Sequence, residues 1–145
     1  RQRQMCIRDR LDLEAENRDI DWNMLQRIHE HKTGCLLTAP LLMACILSKH
    51  EEDILAWKRI GFSLGLAFQV QDDILDIELT AKEFGKSNSD QKNHKGTSVS
   101  ILGIERAKEV MNNLYESATR EIQSLTGFES AELLEYVHQI QQRRK

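Results

Sequence analysis

The stretch FQVQDDILD, residues 68–76, places three carboxylates inside a strongly apolar run with helical periodicity. Side chains four residues apart lie on one face of a helix, so Asp72 and Asp76 are expected to point the same way. Gln69 lies one turn before Asp72 on the same face. Two like charges at this spacing repel each other by roughly a few tenths of a kcal/mol at an exposed surface. A divalent cation with oxygen ligands would relieve this repulsion.

Mg²⁺ suits such a pair because it accepts one or two protein oxygens and completes its octahedron with water and phosphate. The alternative interpretation is a solvated helix end, as most charge groups are. Asp72 and Asp73 interrupt the apolar run rather than border it, which favours the metal site. Gly65, one turn before Gln69, leaves room there for a ligand or for another backbone.

The composition excludes several classes of protein. The chain has 145 residues, enough for one modest domain or part of a larger one, and its net charge of −3 is too mild for a nucleic-acid surface. The longest apolar stretches, 35–47 and 60–70, are too short to span a bilayer, and no hydrophobic signal segment opens the sequence. Cys6, Cys35 and Cys45 are odd in number and lack metal-ligand spacing. We expect Cys35 and Cys45 to be buried reduced thiols, no membrane insertion, and a cytoplasmic location.

The fold class predicted from the pattern is all-α. A single proline and seven glycines argue against a sandwich or barrel, which would need frequent turns. Asp21 is expected to cap a first helix that runs to about Leu47, with Pro40 as a kink or restart. Further helices are predicted over about 52–77, over 98–125, and from a cap at Ser130 onwards, with a loop over 80–97.

The first ten residues do not follow this pattern. Residues 1–10 hold four arginines and no apolar periodicity, and a regular pattern begins with LDL at 11–13. We interpret residues 1–10 as a truncation point or a non-native junction. Residues 11–145 show no repeat and no internal domain boundary.

Four lysines lie within fourteen residues of the predicted loop. Lys86 and Lys95 are each next to a glycine, and beside a carboxylate-bound Mg²⁺ their ammonium groups would neutralise a diphosphate. Lys82 and Lys92 are interpreted as ordinary loop surface. Taken alone, the loop is weak evidence.

A third group of polar residues precedes an apolar helical segment. Lys32 and Thr33 lie in mid-helix, where a charge and a hydroxyl need partners, and a phosphate would suit both. His29 and His31 are two residues apart and diverge on a helix, so a zinc site is not expected. The pattern GFSLG at 61–65 matches a nucleophile elbow, but it lies within a helical pattern rather than between a strand and a helix. Its serine is interpreted as a helix-packing residue.

Together these patterns resemble the trans-type isoprenyl diphosphate synthases, and most closely the bacterial farnesyl diphosphate synthase branch. The most specific element is FQ-x-x-DD-x-x-D at 68–76 with Lys32-Thr33 upstream. The order and spacing match the carboxyl-terminal half of the family over nearly the whole chain from Leu11. The other matching segments are LDL at 11–13, IHEHKTG at 28–34, IGFSLGLAFQVQDDILD at 60–76, Gly85-Lys86, Lys95-Gly96-Thr97 and the basic carboxyl end. The implied fold is the carboxyl-terminal half of an isoprenoid-synthase-type helical bundle.

The resemblance also implies roles for individual residues. The second aspartate-rich motif would bind Mg²⁺ through Asp72, Asp73 and Asp76, with Asp72 and Asp76 as the more direct ligands. The allylic diphosphate would be held by Lys32, Lys86 and Lys95. Thr33 and Gln69 would lie near the reacting carbon, which gives the implied catalytic set of Lys32, Thr33, Gln69, Asp72 and Lys86. The implied reaction joins isopentenyl diphosphate to a dimethylallyl or geranyl diphosphate, and farnesyl diphosphate is the expected product.

One departure from the family limits this expectation. The family uses two facing aspartate-rich motifs, and this chain contains one. We therefore expect the chain alone to be inactive, and we expect a full-length form to be a homodimer. Two alternatives are a non-catalytic partner subunit of a heteromeric synthase and a fragment of a terpene cyclase or squalene-synthase-like protein. The first is disfavoured because the acidic and lysine positions are present. The second is disfavoured because such proteins usually lack the FQ and Lys-Thr combination.

Overall fold

The computed structural model describes residues 20–84 and 96–143, with side chains for all of these except residues 80–84. Within these ranges the chain forms six α-helices and no strand, so the all-α prediction is confirmed. The helices are α1 (Trp22–His29), α2 (Cys35–Leu47), α3 (Ile54–Phe84), α4 (Ser98–Leu102), α5 (Ile104–Ser124) and α6 (Ala131–Gln142). A π-helical turn, Glu30–Gly34, joins α1 to α2, and a 3-10 turn, Glu51–Asp53, precedes α3.

The long helix α3 is the centre of the fold. Its 31 residues span about 46 Å at 1.5 Å per residue. Helix α2 packs against one side of α3 and α5 against another, and α6 contacts both α3 and α5. The larger buried cluster consists of Cys45, Trp57, Ile60, Ala67, Tyr115, Ala118, Ile122 and Val137. A second buried cluster, of Leu66, Val70, Ile74 and Ala107, lies next to the carboxylate-bearing turns.

Helix ends follow local signals where these are strong. Asp21 caps α1 as predicted, because its Oδ1 accepts a hydrogen bond of 2.8 Å from the Met24 amide. Ser130 precedes α6 as predicted, but its side chain makes no capping hydrogen bond. The helix predicted over 98–125 is two helices, because Gly103 adopts a φ of +78° between α4 and α5.

Two further expectations differ from the structure. Helix α3 extends to Phe84, so the first part of the predicted 80–97 loop is helical. Helix α2 continues through Pro40, and the departure from α-helical geometry lies earlier, in the Glu30–Gly34 turn.

The prediction for the cysteines is half right. Cys45 is buried, whereas Cys35 is exposed, because α2 buries only a narrow stripe that Cys35 lies outside. Burial raises the pKa of the Cys45 thiol, and the neighbouring carboxylate of Asp53 raises it further. None of the described helices has the length and apolar character needed to cross a membrane.

Candidate active site

Two glycine contacts bring the segment from Gly34 to Thr38 directly against α3. A Cβ atom on Gly65 would lie 2.6 Å from the Cα of Gly34, and one on Gly61 would lie 2.7 Å from the Cα of Thr38. Real Cβ atoms essentially never approach so closely, so glycine at these positions lets the two backbones touch. The room expected at Gly65 is therefore filled by another backbone.

This crossing places the Lys32-Thr33 turn beside the carboxylate-bearing face of α3. A Cβ on Gly65 would lie 3.3 Å from the Thr33 carbonyl carbon, and Gln69 follows one helical turn later on α3. Lys32 is exposed and Thr33 is half-buried. Both residues belong to the π-helical turn, a geometry that often occurs at functional sites. The structure thus places the backbone of Thr33 against α3 one helical turn before Gln69, although the two residues lie 36 positions apart in the sequence.

Asp72 lies one turn after Gln69 on this face and has two polar neighbours. Arg143 donates a hydrogen bond from Nη2 to Asp72 Oδ1, and its guanidinium carbon lies 3.9 Å from the centroid of the Phe68 ring. Gln69 directs its amide nitrogen at Asp72 Oδ2, at 3.5 Å. The Asp72 side chain remains 41% exposed, so a ligand can reach it.

A buried glutamine fixes the position of Arg143. Gln71 donates from Nε2 to two carbonyl oxygens at the carboxyl end of α6, at 3.1 and 2.9 Å. The Tyr115 hydroxyl donates to Gln71 Oε1 at 2.8 Å, and burial raises the pKa of Tyr115 to about 12. Helix α6 is thus tied to α3 at the residue next to Asp72, and Arg143 follows α6 directly.

The other two aspartates of the motif have different surroundings. Asp73 Oδ2 accepts a hydrogen bond of 2.7 Å from the Ser98 amide, and Ser98 is completely buried. Asp76 is exposed and lies one turn after Asp72 on the same face. Asp72 and Asp76 thus lie on one face, half-buried and exposed respectively, while Asp73 contacts the start of α4.

The donor set on this face fits a hard cation. Asp72 and Asp76 provide carboxylate oxygens one turn apart and accessible to solvent, which is what Mg²⁺ requires of a protein that supplies one or two ligands. These two carboxylates would hold the ion.

A separate acidic group lies at the other end of α3. His50, Glu52 and Asp53 have potential metal-ligand atoms that all lie within 4.8 Å of one another, the one such group of three in the described residues. These side chains are close in sequence and exposed or half-exposed. Exposed acidic groups of this kind are common without a metal, so the group adds nothing to the candidate site.

The predicted lysine contribution is only partly described. Lys86 and Lys95, and also Lys92, lie outside the described residues, as does the side chain of Lys82. Their predicted contact with a diphosphate stays a prediction. Lys32 is the predicted diphosphate-binding lysine whose position is described.

A family profile described as polyprenyl synthetase matches residues 2–130 of the chain. The chain belongs to this family. The fold of its described residues is that of the polyprenyl synthetases with known structure. A putative farnesyl-diphosphate synthase from Marinomonas sp. MED121 superposes with a TM-score of 0.72 at 32% identity, covering 94% of this chain and 46% of that one. A geranyltransferase from Helicobacter pylori, solved with magnesium and isoprenyl diphosphate, gives a TM-score of 0.70 at 30% identity, with 94% and 45% coverage.

Curated polyprenyl synthetase relatives give the same result at the level of sequence. The farnesyl diphosphate synthase of Haemophilus influenzae is 42% identical over 129 residues, which are 83% of this chain and 42% of that protein. The farnesyl diphosphate synthase of Escherichia coli is 36% identical over 124 residues, again 83% and 42%. The chain thus spans about two fifths of the length of these relatives.

Sequence reasoning missed three residues of this site. Gln71, Tyr115 and Arg143 act on Asp72 through contacts between residues 44 to 72 positions apart in sequence. The available signal was weak: a glutamine at a buried position of α3 implies polar partners, but not which ones. Arg143 belongs to the basic carboxyl end, whose resemblance to the terminal basic group of the family implies an approach to isopentenyl diphosphate, and the contact with Asp72 was not expected.

Proposed function

We propose that this chain is the part of a magnesium-dependent short-chain prenyltransferase that binds and activates the allylic diphosphate. The complete enzyme would condense isopentenyl diphosphate with dimethylallyl diphosphate to give geranyl diphosphate, and a second isopentenyl diphosphate with geranyl diphosphate to give farnesyl diphosphate, releasing one diphosphate and one proton in each step. The observation that carries the proposal is the Gly34–Gly65 contact, which sets the Lys32-Thr33 turn beside the face of Gln69 and Asp72. The farnesyl diphosphate synthases among its relatives support the choice of substrates.

Each side chain on this face has a task that its chemistry allows. The Lys32 ammonium is exposed and can bind diphosphate oxygens as a point charge. The Thr33 hydroxyl can donate a hydrogen bond to the same group. Gln69 directs its amide nitrogen at Asp72, which leaves its amide oxygen available to stabilise a carbocation. Lys86 and Lys95 are proposed to bind the diphosphate from the segment that follows α3.

Asp72 and Asp76 are proposed to hold Mg²⁺, which when bound supplies positive charge to the departing diphosphate. Asp72 is held in place from two sides, by Arg143 and by Gln69. A carboxylate that is oriented before the ligand arrives does not have to be ordered at the moment of binding. If the complete enzyme closes this face to water, each of these electrostatic contacts would be stronger than it is at an exposed surface.

The proposal extends to the state of the complete protein. We propose that it acts as a homodimer in the cytoplasm, and that this chain without the remainder of the enzyme forms no product. A reaction with labelled isopentenyl diphosphate, geranyl diphosphate and Mg²⁺ tests the last point. Formation of farnesyl product by the purified chain would overturn it.

The half-site can be tested directly by titrating inorganic diphosphate in the presence of Mg²⁺. Asp72→Asn removes one negative charge and one metal ligand. We expect it to weaken diphosphate binding at least about tenfold, because mutating even the residues that hydrogen-bond to metal ligands typically lowers metal affinity about 10- to 100-fold. Glu132→Gln is the matched control, because it also removes one negative charge, at an exposed residue of α6. It should leave diphosphate binding unchanged. Equal binding by the Asp72 variant and the control would refute the proposed site.

A further inference from the structure

We infer that Arg143 is a specificity-determining residue of the carboxylate face: its guanidinium on Asp72 disfavours free Mg²⁺, so the site selects Mg²⁺ that arrives together with a diphosphate. The inference rests on the proposed function, in which Asp72 binds the metal. It goes beyond that function because it assigns to one residue the choice between the free ion and the ion with its anion.

Both oxygens of Asp72 face a donor. Oδ1 accepts a hydrogen bond from Arg143 Nη2, and Oδ2 lies 3.5 Å from the amide nitrogen of Gln69. A metal ion can therefore bind Asp72 by displacing Arg143 or by taking the oxygen next to Gln69. Arg143 opposes the ion in either case, by competing for Oδ1 or by repelling a cation on Oδ2.

Arg143 is attached to the site by contacts that do not depend on Asp72. Its guanidinium carbon lies 3.9 Å from the centroid of the Phe68 ring, and its Nε lies 3.4 Å from Oε1 of the buried Gln71. An exposed ion pair between two flexible side chains contributes little, because each partner moves away easily. The Arg143 side chain is only 29% exposed, so we expect its charge to stay near Asp72 when the bond between them opens.

For the free ion, repulsion by Arg143 outweighs the benefit of holding Asp72 in place. A dication and a unit positive charge about 4 Å apart in water repel enough to lower affinity about 30-fold, and dissolved salt reduces this figure. Orienting one side chain before binding raises affinity by about 2- to 10-fold, and a short side chain such as aspartate lies near the lower end of that range. The net effect of Arg143 is therefore to weaken the binding of free Mg²⁺.

A diphosphate removes this opposition. Mg²⁺ bound to diphosphate forms a complex with a net negative charge, and the planar guanidinium attracts such a complex and matches its phosphate oxygens. Carboxylates alone would have the opposite preference, because Asp72 and Asp76 attract the free ion and repel the anionic complex. A cation fixed beside Asp72 is thus what allows an acidic face to favour the complex over the free ion.

Isothermal titration calorimetry with MgCl2 alone tests the inference. In Arg143→Gln we expect the affinity for free Mg²⁺ to rise at least about threefold, a gain that damage to the fold would not produce. Arg106→Gln is the matched control, because it also removes one positive charge, at an exposed residue of α5 that pairs with Glu109. It should leave the affinity unchanged. An affinity for free Mg²⁺ in Arg143→Gln equal to or below that of the unaltered chain would overturn the inference.

A second titration, of inorganic diphosphate in the presence of Mg²⁺, tests the selectivity. The affinity for the complex should not rise in Arg143→Gln, and equal gains for the free ion and the complex would overturn the inference. If Arg143→Gln fails to fold, Arg143→Met replaces it under the same criteria, because its neutral side chain can still lie over Phe68.

The variants also separate this inference from the proposed function. In the Asp72→Asn background, Arg143→Gln should no longer change the affinity for free Mg²⁺, and a gain of the same size there would overturn the inference. If Asp72→Asn leaves Mg²⁺-dependent diphosphate binding unchanged, the proposed function fails. If Asp72→Asn weakens that binding but Arg143→Gln brings no gain for free Mg²⁺, the inference alone fails.

Discussion

Replacing Gly65 with alanine tests the closest backbone contact of the candidate site. The new Cβ would lie 2.6 Å from the Cα of Gly34 and 2.9 Å from its amide nitrogen, whereas ordinary van der Waals contact begins at 3.4 Å. Both obstructing atoms are backbone, so no side chain can rotate away. The π-helical turn and α3 must separate by about 1 Å to make room.

The expected magnitude combines two opposing effects. Overpacking a well-packed contact costs about 1–3 kcal/mol of unfolding free energy. Alanine is favoured over glycine inside a helix by about 1 kcal/mol, which offsets part of that cost. The difference is a net loss of about 0–2 kcal/mol, and because both obstructing atoms belong to the backbone we expect the upper half of this range, about 1–2 kcal/mol. At about 2–4 °C per kcal/mol for a chain of this size, the melting temperature should then fall by about 2–8 °C.

Thermal unfolding followed by circular dichroism measures this loss, and two neighbouring variants control it. Ser63→Ala changes a half-buried residue on the same helix and should have a smaller effect. Gly34→Ala would place a Cβ 2.8 Å from the Phe62 ring, a side chain that can shift, and should cost less than Gly65→Ala. A Gly65→Ala variant as stable as Ser63→Ala would refute the argument that backbone contact requires glycine here.

Two further predictions concern the buried polar network beside Asp72. Gln71→Leu keeps roughly the side-chain volume but leaves the Tyr115 hydroxyl and two α6 carbonyl oxygens without their partner. Urea unfolding should show a loss of about 2–3 kcal/mol, and an unchanged midpoint would contradict this. The second prediction concerns pH: the pKa of Tyr115 is raised to about 12 in the folded chain, against about 10 when unfolded. The folded state then holds this proton more tightly, so stability should be constant below about pH 10 and fall as the pH rises towards 12. The urea midpoint at pH 9 and pH 11 measures this fall, and Tyr115→Phe should reduce it.

Much of the secondary structure could be predicted because its signals are local. The cap at Asp21 and the shared face of Asp72 and Asp76 depend only on residues within one or two turns of each other. Expectations were wrong where a local signal was overridden. The helix does not restart at Pro40, one of the two alternatives expected there, and a departure from α geometry occurs at the turn where Gly34 meets α3.

The candidate site could be predicted in its residue types but not in its contacts. The pattern at 68–76 indicated a cation near Asp72, and the nearest described cation is the guanidinium of Arg143, 71 residues away in sequence. The bond from Ser98 to Asp73 likewise spans 25 residues. Such pairs depend on how helices cross, which the periodicity of a single helix does not specify.

The sequence by itself determined that the chain is helical and that Asp72, Asp76 and Gln69 share one face, because helical periodicity sets both. The motif FQ-x-x-DD-x-x-D with Lys32-Thr33 indicated the family. The tertiary structure decided which groups meet. Glycine at positions 34 and 65 lets two backbones touch, and this contact brings the Lys32-Thr33 turn to the carboxylate face. It also decided that adjacent aspartates have different partners, since neighbouring side chains on a helix diverge and encounter different parts of the fold.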